Sequence, residues 1–137
     1  MVDLISSVRV LESGMKSQSA RLSIISQNIA NKDTTALTPG GDPYRRKTIY
    51  FRSKFNQELG TDIVHVAQYG HDYSAFKVRL QPSHPAADNK GYVLYPNVDD
   101  IIENTDAQEA QLSYNANLNA LSLTKSMINR TLDILNK

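Results

Sequence analysis

Cysteine is absent from the chain, which excludes a disulfide framework and a thiolate metal site, and thiol usage gives no clue to the redox compartment. Long apolar runs are missing too: no stretch approaches the roughly 20 apolar residues that a membrane-spanning helix requires, so direct membrane insertion is not expected. A charge excess is also lacking. With 137 residues and a formal charge of +1 there is no field to draw nucleic acid or an anionic membrane, and little repulsion opposes self-association. The opening MVDLISSVRVLESGMKSQ has no uninterrupted apolar block, because Asp3, Arg9 and Glu12 break every run. A cleaved secretory signal is therefore not expected, and export would need a route that reads an uncleaved chain. The sequence holds no GxSxG, P-loop, GxGxxG or HExxH element. His65, His71 and His84 stand at no ligand spacing; His65 and His71 lie near Asp72, but solvated or core histidines are the simpler reading. No catalytic residue, cofactor or metal is expected.

The residues that are present spell helices. From Asn97 to Lys137 there is neither Pro nor Gly, and one continuous helix over that run would be about 60 Å long. Its apolar residues follow a 4,3 alternation through Tyr114, Leu118, Leu121, Ile128, Leu132 and Leu135, with Lys125 as the polar member; this is a heptad seam for a partner helix. A second row runs beside it through Ala116, Ala120, Leu123, Met127 and Ile134, interrupted by Arg130. Asn97, after Pro96, is expected to cap the helix. Asp99, Asp100 and Glu103 crowd its start while Lys125, Arg130 and Lys137 come late, the arrangement that complements the helix dipole. Between Ala110 and Thr124 no residue is charged. Solvated helix faces carry Lys and Glu, and interface cores are depleted of them, so this helix is expected to be buried on most sides in an assembly.

At the other end Leu4, Val8, Leu11, Met15, Leu22, Ile25 and Ile29 step in the same alternation, with Gln18 as the polar member, and predict a second heptad helix ending near Asn31. Gly14 and seven serines leave it weak alone, so the C-terminal helix is its expected partner. Between the two, KDTTALTPGGDPY reads as a loop, and KTIYFRSKF, DIVHVAQ and SAFKVRLQ as strands, with YGHDYS as a hairpin connection whose tip should tolerate deletion. Residues 44–82 thus read as a small β element. GYVLYPNV reads as a short extended segment leading into the long helix. The predicted fold is mainly α with a small β element: residues 1–31 and 97–137 form an antiparallel helical hairpin or coiled-coil layer, and 32–96 a loop and β insertion.

Tyr44, Arg45, Arg46 and Lys47, followed by Tyr50, Phe51, Arg52 and Lys54, interleave basic and aromatic residues as a single-stranded nucleic-acid platform would. A solvated cationic face or a subunit contact accounts for them equally and fits the near-zero charge better, so no nucleic acid is expected. A coiled-coil adaptor or export chaperone, binding one partner helix through the second row, is the further alternative.

Several stretches resemble a known family. QNIANKDTT before a Pro/Gly loop, with Asn28, Ile29, Ala30 and Asn31, is similar to the N-terminal signature of flagellar rod, hook and hook-junction axial proteins. GDPYRRKTIYF with Pro43 and Tyr44, HPAADNKGYVLYPNVDDIIEN with Pro96 and Asn97, and SYNANLNALSLTKSMINRTLDI resemble the proximal-rod members of that family. The common NxANxxTxGY form is stretched here into NIANKDTTALTPGGDPY, and the likeness is weakest from about Asn56 to Ser83. The resemblance implies a structural, torque-transmitting subunit of the bacterial flagellar basal body. It implies export without cleavage through the flagellum's own type III apparatus and a place in the periplasm-spanning rod between the membrane-ring protein and the distal rod. Other copies, FliE, FlgB, FlgF and, further along, FlgG are the implied partners, and the terminal helices would surround the export channel. The expected assembly surface is Tyr114, Ala116, Leu118, Ala120, Leu121, Leu123, Met127, Ile128, Leu132 and Leu135.

Overall fold

A computed structural model describes residues 2–137. Two long helices bracket four strands, in the order α1 Val2–Ala30, β1 Lys47–Asn56, β2 Thr61–His71, β3 Lys77–Leu80, β4 Tyr92–Tyr95 and α2 Asp100–Leu135. The strands form two separate two-stranded sheets, β1 with β2 and β3 with β4. This is the expected class, mainly α with a small β element between terminal helices. The hairpins lie elsewhere than predicted. β1 turns into β2 through residues 57–60, where Gly60 takes a φ of 64° and donates its N–H to the Asn56 carbonyl. YGHDYS is no hairpin turn: its first three residues end β2, and the chain then crosses to β3, whose antiparallel partner is β4. Residues 44–82 therefore do not form a self-contained β element, because β3 needs a strand from beyond them.

The chain divides into two compact units, and both helices contribute to each. One comprises the chain up to Leu22 with Tyr50–Gln68 and Gln108–Lys137. There Arg21 reaches Glu109 at 3.3 Å and Gly14 lies against Asn117, so α1 and α2 run antiparallel. A Cβ on Gly14 would sit 2.9 Å from Asn117 Nδ2; the glycine that weakens α1 is also what lets Asn117 into the seam. The inward stripe of α2 shares Tyr114, Leu121 and Ile128 with the predicted row, but its other members are Ala110, Asn117, Thr124 and Thr131. Leu118, Leu132 and Leu135 of that row lie exposed. Small and hydroxyl residues suit a close seam because their polar atoms are already satisfied: the Thr124 and Thr131 hydroxyls donate to the carbonyls of Ala120 and Met127. The buried Ser17 of α1 does likewise, donating to the Ser13 carbonyl.

The other unit comprises Ser23–Ile49 and Tyr69–Ala107. Its core gathers Ile24 and Ile25 of α1, Val93 and Tyr95 of β4, and Val98, beside the buried prolines Pro43 and Pro96. Tyr95 donates its hydroxyl to Gln81 at 2.6 Å, and the Arg79 guanidinium stacks 4.3 Å from the ring centroid. α2 is capped by Asp99, not Asn97. Asp99 Oδ1 accepts the N–H groups of Ile101 and Ile102, because it is the residue immediately before the first helical turn. Lys32, just past α1, pairs with Asp100 at 2.8 Å; that hydrogen bond and charge raise the Lys32 pKa, a contribution present below the ordinary lysine range and lost as pH rises through the raised value. Gly91 precedes β4 at a φ of 84°, where an added Cβ would meet Pro82 Cγ at 2.9 Å. Gly91→Ala is thus expected to cost about 1–2 kcal/mol from the left-handed backbone alone, read as a lowered midpoint of denaturant unfolding, with the Pro82 clash adding to it.

Candidate functional site

The signature residues converge on one polar clasp in the second unit. Asn28, in the last turns of α1, is 1% exposed, and its amide reads the backbone of Lys47 on both sides: Oδ1 accepts the Lys47 N–H at 2.9 Å, and Nδ2 donates to the Lys47 carbonyl at 3.0 Å. That bidentate match needs one donor and one acceptor, so neither Asp nor Leu could replace it. Oδ1 also accepts the Tyr44 hydroxyl at 2.9 Å, and Nδ2 reaches Glu103 Oε2 at 3.3 Å. Burial first, and then the Glu103 charge, raise the Tyr44 pKa.

Glu103 is 0% exposed and is the deepest charge among the described residues. Its Oε1 is bound by Arg46 Nε, while Asp72 and Asp106 lie 3.8 and 3.7 Å from the other guanidinium nitrogens. One guanidinium thus serves three carboxylates from two parts of the chain. Asn97 closes the clasp: Oδ1 accepts the Arg46 N–H at 2.9 Å, and Nδ2 donates toward the Asp72 carbonyl at 2.9 Å and to Ser74. Arg45 donates to the Asp72 carbonyl and lies over the rings of Phe76 and Tyr73, 4.2 and 5.2 Å from their centroids.

Two expectations change here. The first half of the basic and aromatic stretch is spent inside the chain, since Tyr44, Arg45, Arg46 and Lys47 all have intrachain partners, Lys47 Nζ among them at 2.9 Å from Gln27 Oε1. And the YGHDYS segment is an anchor, not a free loop tip: its Asp72 and Ser74 hold Arg45 and Asn97, so a deletion there would open the clasp. The Ser74 backbone N–H, 2.8 Å from Asp72 Oδ1, is the main cause that lowers the Asp72 pKa, followed by the Ser74 side chain, with Arg46 adding to it. A lowered carboxylate contributes stability that is present above its unfolded pKa and lost as pH falls through the folded one. Asp72→Asn is therefore expected to lower stability at neutral pH, where the charged carboxylate accepts from Ser74 and faces Arg46, and to approach the parent as pH falls below about 4, so that the acid limb of its stability-against-pH curve is flatter.

The remaining signature residues are structural. Asn31 follows the last residue of α1, its Nδ2 donating to the Gln27 carbonyl and its Oδ1 accepting the Thr34 hydroxyl, while Ile29 is half-buried and Ala30 exposed.

The expected assembly residues separate by face. In the first unit Leu121 is 8% exposed, and Tyr114, Ala120 and Ile128 are half-buried against the rest of that unit. Leu123 is 65% exposed on the opposite side of the helix, with Leu112, Ala116, Met127 and Ile134 exposed beside it, while Leu118, Leu132 and Leu135 are exposed nearer the inward row. An outward apolar helix face of this extent is what an association surface presents. In the second unit the outer face of the β3–β4 sheet is apolar as well: Val78 pairs with Leu94 and Leu80 with Tyr92, all exposed, beside a groove of about 530 Å³ lined also by Ala36, Gly40 and Gly41. From the sequence β3 reads only as a strand. The alternation of Lys77, Val78, Arg79 and Leu80 places the apolar pair on one face, but only the register shows that β4 adds Tyr92 and Leu94 to that face. No group of three or more His, Asp or Glu side chains is placed to hold a metal among the described residues.

The chain is similar to known proteins over most of its length. The family model described as flagella basal body rod protein matches residues 8–36. The flagellar basal-body rod protein FlgC of Agrobacterium fabrum is 43% identical, over 93% of this chain and 91% of its own length. Those of Borreliella burgdorferi, 37% identical over 96% and 97%, and Bacillus subtilis, 35% identical over 93% and 95%, align over nearly all of both chains. The clasp and the outward helix face thus sit in a chain aligned almost end to end with rod proteins, and it belongs to the FlgC family of flagellar basal-body rod proteins.

Proposed function

We propose that this chain works as a structural, non-catalytic subunit of the flagellar basal-body rod, packed side by side with copies of itself and with the rod proteins FliE, FlgB and FlgF, and with FlgG further along. The observation that carries the reading is the outward face of α2, where Leu112, Leu123, Met127 and Ile134 are exposed on a helix with no charge from Ala110 to Thr124. Water is a poor neighbour for such a face and an interdigitated helix a good one. Sliding between subunits would break that uncharged contact, which is how the packed helices transmit torque. The terminal helices surround the export channel, and the rod stands in the periplasm. The test is placement. A tagged chain is expected in isolated basal bodies, between the membrane ring and the distal rod, and recovery only from the soluble fraction of motile cells expressing the tagged chain as their sole copy would refute it.

A further inference from the structure

The start of α2 is docked by a charge and not by its apolar residues. Within the second unit the residues of α2 that face inward are Glu103, Asp106 and Ala107, while Ile101, 77% exposed, and Ile102 point away. Apolar burial alone would favour the opposite arrangement, since a turn of about 100° about the helix axis puts Ile102 where Glu103 now lies. What opposes that turn is the clasp. Turning the helix so would take from Arg46 its closest partner, move Asp106 on the same helix from its present place 3.7 Å from the guanidinium, and remove the acceptor that Asn28 Nδ2 has besides the Lys47 carbonyl. Replacing a buried ion pair whole by apolar groups is often neutral for stability, so burial of this pair calls for a reason other than net stabilisation.

We infer that the Asn28–Arg46–Glu103 clasp is a rotational lock on the start of α2: it holds Ile101 and Ile102 outward, on the side available to a neighbouring subunit, at the expense of burying them within the chain. Arg46 and Glu103 are positioning residues in this sense. Their effect on association runs through the azimuth of the helix and not through direct contact with a partner.

The absence of cysteine makes the test clean. Lys32 Nζ and Asp100 Oδ2 meet at 2.8 Å, so a carbodiimide can join them as an amide, and Ala107→Cys reports a half-buried inward position. In the purified full chain the Lys32–Asp100 amide is expected to form readily, read by peptide mass, and the Cys at position 107 to react slowly with a maleimide. Adding Arg46→Met and Glu103→Ala removes both charges together and leaves room for Ile102. The expected result is a helical, cooperatively melting protein in which the amide yield falls at least tenfold and labelling at 107 rises at least tenfold. Glu103→Gln alone, which keeps the volume and an acceptor for Arg46, is expected to hold both readouts at the parent values. A folded Arg46→Met/Glu103→Ala chain with unchanged amide yield and labelling would overturn the lock, and if that chain does not fold, the same two readouts on Glu103→Ala alone decide. These measurements concern the single chain, so their failure would leave the rod assignment standing.

Discussion

Arg46→Ala is expected to lose about 3–5 kcal/mol of stability, and Glu103→Ala distinctly less, although the two residues are partners in one ion pair. The asymmetry follows from who else is present. Without Arg46, Glu103 remains fully buried with Asn28 Nδ2 as its neutral partner, and Asp72 and Asp106 lose a shared cation. Without Glu103, Arg46 still has Asp72 and Asp106 within 4 Å, at 3.8 and 3.7 Å, and is itself partly exposed. Denaturant unfolding of the single variants measures the difference, and the Arg46→Ala/Glu103→Gln chain should recover part of the Arg46→Ala loss because it removes the stranded charge. Equal losses in the two single variants, with no recovery in the double, would mean that the pair matters only as packing volume.

The clasp also marks what can be read from the chain without its structure. Asn28, Tyr44 and Asn97 stand out as signature residues through family likeness, but nothing in their spacing says that Asn28 binds the backbone of Lys47 or that Glu103 is buried. In the sequence Glu103 is an early-turn acid placed for the helix dipole, and its burial depends on residues 57 and 75 positions away along the chain. Local pattern carries no such information; it emerges only when three segments meet. The helices themselves are legible, because period and the lack of Pro and Gly are local properties, and α1 ends at Ala30, one residue before the predicted Asn31. The seam of α2 is half legible. Tyr114, Leu121 and Ile128 belong to both the predicted and the observed stripe, but hydrophobicity alone assigns Leu118 and Leu132 to the inside, whereas the approach of Gly14 to Asn117 selects the neighbouring row of small and polar residues. With Ala110, Asn117, Thr124 and Thr131 filling much of the inward row, Leu121 is buried there while Leu112, Leu123 and Met127 are left exposed.

That division gives the second large expected effect. Leu121 and Leu123 are two residues apart, about 200° around the helix, and a monomer with a simple amphipathic helix would bury one and ignore the other. Here Leu121 is buried within its unit and Leu123 is 65% exposed, so the same substitution should fail in two different ways. Leu121→Lys puts an unpaired charge into the helix seam, at a cost on the order of several kcal/mol, and is expected to lower the melting temperature of the isolated chain and its yield in cells. Leu123→Lys adds a solvated charge to the lone subunit and should change its stability by no more than about 0.5 kcal/mol. In the rod it would carry that charge into a contact from which water is excluded, and recovery in basal bodies at matched expression should drop roughly tenfold or more, since each 1.4 kcal/mol is a factor of about ten. Lys125→Gln, exposed and about 200° around the helix from Leu123, removes a charge without burying a new one and should assemble and swim like the parent. Export is checked separately, by the amount of each variant that leaves the cell in a strain lacking the rod's outer parts. Normal incorporation of Leu123→Lys would mean that the outward face of α2 meets water in the rod, and its uncharged stretch would then need another explanation.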